Sequence, residues 1–181
     1  NNYGAVLQSY ATKKILSDYG EVSIIDYDNK HLGHHLDLVR FSVSIHGVKM
    51  LIHDILRLSS RIKAVNKFKS FIRSSMNLTK KLNADELMNG KANNFDTYVC
   101  GSDQIWNPEI VNPDKKIDPI FFLSFAPNGA KKISYASSIG HHNFTNDEKK
   151  EVESLLQDFR TISTRESDGQ KKLQEILPNR E

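Results

Sequence analysis

Gly101-Ser102-Asp103-Gln104-Ile105-Trp106-Asn107 gathers a hydroxyl, two amides, one carboxylate and one indole directly after the apolar run Thr97-Tyr98-Val99-Cys100. A plain turn uses Gly and Asp but has no need of Gln and Trp together. Asp103 is the candidate catalytic residue, a carboxylate able to take a proton from a hydroxyl. It can equally bind a sugar hydroxyl or act as a turn carboxylate. Gly101, Ser102 and Gln104 are candidate substrate-binding residues. Trp106 can pack on a sugar face or sit in a core. Three other segments hold matching chemistry. Asn1-Asn2-Tyr3-Gly4 leads into a helical pattern, and a helix N-terminus favours anions through its free N–H groups. There Asn2 can donate a side-chain bond and Gly4 admits a ligand close to the backbone; an ordinary Asn cap is the alternative. Ser137-Ser138-Ile139-Gly140 offers hydroxyls among small residues, which suits a close ligand or a tight strand-to-helix turn. Arg165-Glu166 presents a guanidinium fork suited to carboxylate or phosphate, or an internal ion pair.

These segments need a scaffold that brings them together. Leu7, Ala11 and Ile15 recur every four residues, so a helix runs from Gly4 to Tyr19 with Gly20 as its stop. Val22 to Tyr27 reads as a strand buried on both faces. Thr97 to Cys100, Lys132 to Ala136 and Thr161 to Ser163 read as further strands. Thr145 with Glu148 is a capping box opening a helix to about Gln157, and Ser167 to Leu177 is a last helix stopped by Pro178. This alternation predicts an α/β fold, a parallel sheet flanked by helices. Each chemical segment then follows a strand, an inferred one in the case of Asn1 to Gly4, at the sheet edge where ligands bind in such folds.

Residues from about 28 to 82 break the alternation and read as a helical insertion. One pattern holds Met50, Leu51, Ile55 and Leu58; another holds Ile62, Val65, Phe68, Phe71 and Ile72. Asn83 with Glu86 caps a short helix, Ala84 to Met88. Between Val48 and Lys81 nine basic residues stand against one acidic, a net +8 in a chain whose total is +3. Such a tract suits a solvated face, a polyanion or an anionic membrane surface. The length of 181 residues fits one domain or slightly more. The chain opens on a helix with no strand before it, which predicts a trimmed start.

Other chemistries fall away. Dinucleotide, P-loop and serine-hydrolase signatures are missing. His31, His34 and His35, with His141 and His142, lack the cysteine or clear carboxylate partners of a metal set, so no metal is expected. The single cysteine, Cys100, fits a reducing cytoplasm and reads as a buried small hydrophobe.

Asn2-Tyr3-Gly4-Ala5-Val6-Leu7-Gln8-Ser9-Tyr10-Ala11, the segment Gly101 to Asn107, Ile133 to Gly140 and Ser163-Thr164-Arg165-Glu166 together resemble the polysaccharide pyruvyl transferase family in order and spacing. The resemblance spans nearly the whole chain and adds Gln8 and Glu166 to the candidate binding residues. It implies a Rossmann-like domain, one half of a two-domain, GT-B-like enzyme whose C-terminal domain is absent here. It further implies transfer of a pyruvyl group from phosphoenolpyruvate to sugar hydroxyls during polysaccharide biosynthesis. No separate cofactor is then needed, and the partners are phosphoenolpyruvate and a glycan or lipid-linked saccharide, not nucleic acid. The basic tract would hold such an enzyme at the inner face of the membrane. Two rivals stay open: a glycosyltransferase using a nucleotide sugar, and a non-catalytic carbohydrate- or partner-binding module.

Overall fold

A computed structural model describes residues 3–33 and 58–180. In chain order the elements are α1 (Tyr3–Leu16), α2 (Lys30–Gly33), α3 (Leu58–Ser75), α4 (Ala84–Met88), β1 (Thr97–Cys100), α5 (Pro108–Val111), a 3₁₀ turn (Pro119–Phe122), β2 (Lys131–Ser134), α6 (Asn146–Leu156), β3 (Phe159–Thr161) and α7 (Ser167–Ile176). The three strands pair in parallel in the order β1-β2-β3, so their C-terminal ends share one edge. This is the expected α/β arrangement of parallel sheet and flanking helices.

The helix boundaries follow their caps. Thr145 Oγ1 accepts the Glu148 N–H while Glu148 returns a bond to the Thr145 N–H, and Asn83 and Glu86 repeat that exchange at α4. Each cap contributes about 1 kcal/mol by satisfying otherwise orphaned donors. At the other end of α6, the Arg180 guanidinium donates to the carbonyls of Leu156, Gln157 and Phe159. No local pattern marks Arg180 for this task, because its partners lie more than 20 positions back.

Three expected strands take another form. Val22 to Tyr27 is not a regular strand; it makes two isolated parallel bridges, Ile24 to Leu78 and Tyr27 to Leu82. Its partner is the tail of the insertion, and the pairing is interrupted: the three steps from Ile24 to Tyr27 face four from Leu78 to Leu82, and the Asp26 N–H donates to Thr79 Oγ1 in place of a backbone carbonyl. The last strand pairs at Phe159–Thr161 instead of Thr161 to Ser163. Register slips between Lys132 and Ile133, and the Ser134 hydroxyl fills the gap, accepting from the Ser163 N–H at 2.8 Å and donating to the Ser163 carbonyl at 3.0 Å. Past this bulge, pairing resumes at Ser137 and Thr164. For the same reason β2 stops at Ser134, short of Ala136, whose φ of 51° is left-handed. Ile120 to Phe122 belong to the 3₁₀ turn Pro119–Phe122, capped by Asp118 and ended by Leu123.

The core lies between the sheet, the 3₁₀ turn and α6–α7. Trp106 stacks on Phe122 with centroids 5.3 Å apart and meets Phe159 edge-on at 6.3 Å. Leu87, Ile139, Val152 and Leu156 complete the fully buried set around it. By contrast, α1 buries no residue completely and rests on α3 through the ring pairs Tyr3–Phe68 and Tyr10–Phe71. Of the two amphipathic patterns in the insertion, the second is α3. The first, and the basic tract before Leu58, lie outside the described residues, as do Asn2, His34 and His35. In α3 the side chains of Lys63, Lys67, Lys69 and Arg73 are exposed.

Candidate functional site

The candidate segments meet where the strand ends meet. Beyond β1, the Asp103 carbonyl accepts from the Ser138 N–H at 2.9 Å, and the Ser138 carbonyl accepts from the Trp106 N–H at 3.2 Å. Beyond β2, Ser137 N–H donates to the Ser163 carbonyl and Arg165 N–H donates to the Ser137 carbonyl. Backbone bonds thus hold three loops at fixed spacing. On the outer side of β1, Gln8 of α1 donates from Nε2 to Ser102 Oγ at 2.5 Å. Gly4 lies one turn earlier on the same helix face. Residues from four separate stretches therefore form one rim.

At the rim's centre is a small polar network. Ser138 Oγ donates to Glu166 Oε1 at 2.7 Å and accepts from Gly140 N–H and Arg165 Nη2 at 3.1 and 3.2 Å. Arg165 Nε donates to the same Glu166 oxygen at 2.8 Å. Glu166 Oε2 is buried and unpartnered among the described residues. Arg165 is thus held by its neighbour while its side chain is 38% exposed, so the fork is oriented and still open to an anion. Asp103 uses Oδ1 to accept its neighbour's N–H at 2.8 Å, which closes the turn, and its side chain is partly exposed.

Three candidates are not placed to touch a ligand. Trp106 is 1% exposed and its indole N–H donates to the Phe121 carbonyl, so it is a core residue and no sugar platform. Ser137 and Ser138 are 0% exposed. The Ser137 hydroxyl turns inward to the Cys100 and Gly101 carbonyls, and Ser138 orients the Arg165–Glu166 pair. Small hydroxyl residues were needed here for backbone packing between loops, a demand that sequence alone does not separate from ligand access. Cys100 is buried as expected, and burial pushes its thiol up to about 12. It stays protonated at neutral pH and supplies no nucleophile.

Beside the rim opens a cleft of about 570 Å³ lined by Gln104 and Asn107 together with Glu109, Ile110, His142 and Asn143. Gln104 Oε1 accepts from Asn107 Nδ2 at 3.2 Å, and Asn107 Oδ1 caps α5 by accepting the Glu109 N–H. His142 Nε2 stands 3.3 Å from Glu148 Oε2. Burial pushes the Glu148 carboxyl up, but bonds from the Thr145 backbone and hydroxyl and from His142 outweigh it and hold it below the usual range. Sequence reading overlooked Glu109, His142 and Asn143 as a group, because their only link to Gln104 is tertiary. Among the described residues, no group of three or more His, Cys, Asp or Glu side chains stands close enough to hold a metal ion. None of the described helices is long and apolar enough to cross a membrane.

Fold and rim together define an α/β domain with a polar edge at the C-terminal ends of its parallel strands. A family model for polysaccharide pyruvyl transferases matches residues 2–180, and the chain belongs to that family. Neither a curated protein nor a solved structure matches it.

Proposed function

We propose that this chain carries the reacting face of an enzyme that moves a pyruvyl group from phosphoenolpyruvate onto two hydroxyls of a sugar. In that reaction the enol-phosphate C–O bond breaks and two new C–O bonds form at the same carbon. One hydroxyl proton ends on the methylene carbon, which becomes methyl, and the other leaves with phosphate. The donor brings a carboxylate and a phosphate, and the observation that carries the reading is Arg165, oriented by Glu166 and Ser138 yet open at the rim. Asp103, on the β1 loop whose backbone is bonded to Ser138, is the proposed acceptor of the first hydroxyl proton. Gln8, Ser102 and the first turn of α1 with Gly4 flank the donor. A second Rossmann-like domain facing this edge, in the GT-B manner, belongs to the same proposal, as does a cytoplasmic location.

The test is phosphate release from phosphoenolpyruvate by the intact two-domain protein with candidate glycans added, since this domain alone is expected to be inactive. Asp103→Asn keeps the shape of the turn and removes the base, so turnover should fall about 10²- to 10⁴-fold with little change in donor KM. Unchanged turnover would return Asp103 to a turn-forming role. The exposed Lys63, Lys67, Lys69 and Arg73 of α3 support peripheral contact with an anionic membrane. Co-sedimentation with phosphatidylserine vesicles at low salt should be seen and should be lost when the three lysines become Gln; binding that survives the triple change removes this contact.

A further inference from the structure

The cleft beside Gln104 is separate in character from the rim around Arg165. Its walls carry two amides, Gln104 and Asn107, locked to each other, with the Asn143 amide nearby. Glu109 and the half-exposed Ile110 stand on α5, and His142 closes another side. His142 Nδ1 lies 4.0 Å from Glu109 Oε1, too far for a direct bond. With Nε2 donating to Glu148, a sugar hydroxyl in this gap gives its one proton to Glu109 Oε1 or to Nδ1 of the neutral ring, and it bridges both when the imidazolium supplies an Nδ1–H. His142 does not drift, because Nε2 meets Glu148, and its backbone carbonyl accepts from Lys172 Nζ at 2.9 Å.

Charge decides what the cleft excludes. Glu109 and Glu148 are carboxylates, and the Lys172 ammonium is already paired with Asp168 at 2.8 Å. His141 and His142 are the other basic groups nearby. A doubly charged phosphate would face the Glu109 carboxylate in the lining, with Glu148 behind His142 and no lysine or arginine among the lining residues, whereas a neutral polyhydroxylated ring finds acceptors, donors and one apolar patch.

Gly140 completes the geometry. With φ at 62°, its missing side chain leaves room for the Gln104 amide, since a Cβ there would stand 2.3 Å from Gln104 Oε1 and 3.0 Å from Asn107 Nδ2. The backbone thus sets the amide pair in place. We infer that this cleft, lined by Gln104, Asn107, Glu109, Ile110, His142 and Asn143, is a saccharide-binding subsite that holds the acceptor ring next to the donor rim. It rests on the pyruvyl-transfer reading for the word acceptor, but not for the binding itself.

The experiment is NMR titration of the full chain with the methyl glycosides of glucose, galactose, mannose and N-acetylglucosamine, with phosphoenolpyruvate as a separate arm. At least one glycoside should shift the side-chain amides of Gln104 and Asn107 and the ring of His142. Glu109→Gln and Ile110→Ala, both at exposed positions, should each weaken that glycoside about tenfold. Phosphoenolpyruvate should move the Arg165 and Glu166 resonances and leave the cleft unchanged. The octyl glycoside of the responding sugar separates free from lipid-linked acceptors. Equal shifts mean the ring alone is read, and extra shifts on α3 mean the lipid portion is bound too; either supports the subsite. Glycoside shifts outside the cleft, no shift with any glycoside up to its solubility limit, or phosphoenolpyruvate entering the cleft would overturn it. Kinetics separates the two readings. Phosphate release with an acceptor KM unmoved by Glu109→Gln sinks the subsite and leaves pyruvyl transfer standing. Sugar binding in the cleft without any phosphate release by the intact two-domain protein does the reverse.

Discussion

Replacing Trp106 by Ala should destabilise the domain by about 3–5 kcal/mol, the usual cost of emptying a large aromatic site in a packed core. The ring touches the 3₁₀ turn through Phe122 and β3 through Phe159, so its loss opens a void between elements that cannot all close on it. Trp106→Phe should cost less, but it leaves the part-buried Phe121 carbonyl without its indole donor, a further penalty of about 1 kcal/mol. Urea unfolding followed by circular dichroism measures both. Near wild-type stability for Trp106→Ala, combined with lost saccharide binding, would reverse the assignment and make the indole a ligand platform.

Arg165→Ala should lower phosphoenolpyruvate turnover about 10²- to 10³-fold, the scale of losing one preorganised donor to developing charge. The guanidinium is the group at the rim that bridges Glu166 and Ser138 while keeping donors for a ligand. Arg165→Lys should rescue little, because an ammonium cannot repeat the planar, two-sided contact. Glu166→Gln serves as the companion measurement. It keeps the volume but weakens the hold on Arg165, so donor KM should rise while the melting temperature stays close to wild type. A wild-type donor KM in Arg165→Ala would reduce the Arg165–Glu166 contact to an internal pair without substrate.

Much of the architecture was legible along the chain because it depends on neighbours in sequence. The capping boxes at Asn83 and Thr145 close within four residues, and the helical stripes of α6 and α7 repeat every turn. The strand at Thr97–Cys100 is apolar and bounded by Gly101, so its place was plain. What misled was demand from afar. Val22 to Tyr27 has a strand's composition, yet its partner runs one residue out of step between the two bridges and the Thr79 hydroxyl takes the Asp26 N–H, so no regular ladder forms. The Ser134 hydroxyl shifts the register of β3 by standing in for a backbone group.

The candidate site divides along the same line. Residue types alone determined that a hydroxyl-, amide- and guanidinium-bearing set follows the strands, and the order of those segments carried the family. Tertiary structure decided which members face outward. It buried Trp106, Ser137 and Ser138, left Arg165 and Gln104 at the surface, and added Glu109 and His142 from α5 and the loop before α6. The reason is physical: composition and spacing record what a side chain can do, whereas access to a ligand depends on packing between segments tens of residues apart. That packing is a sum of long-range contacts that no local pattern encodes.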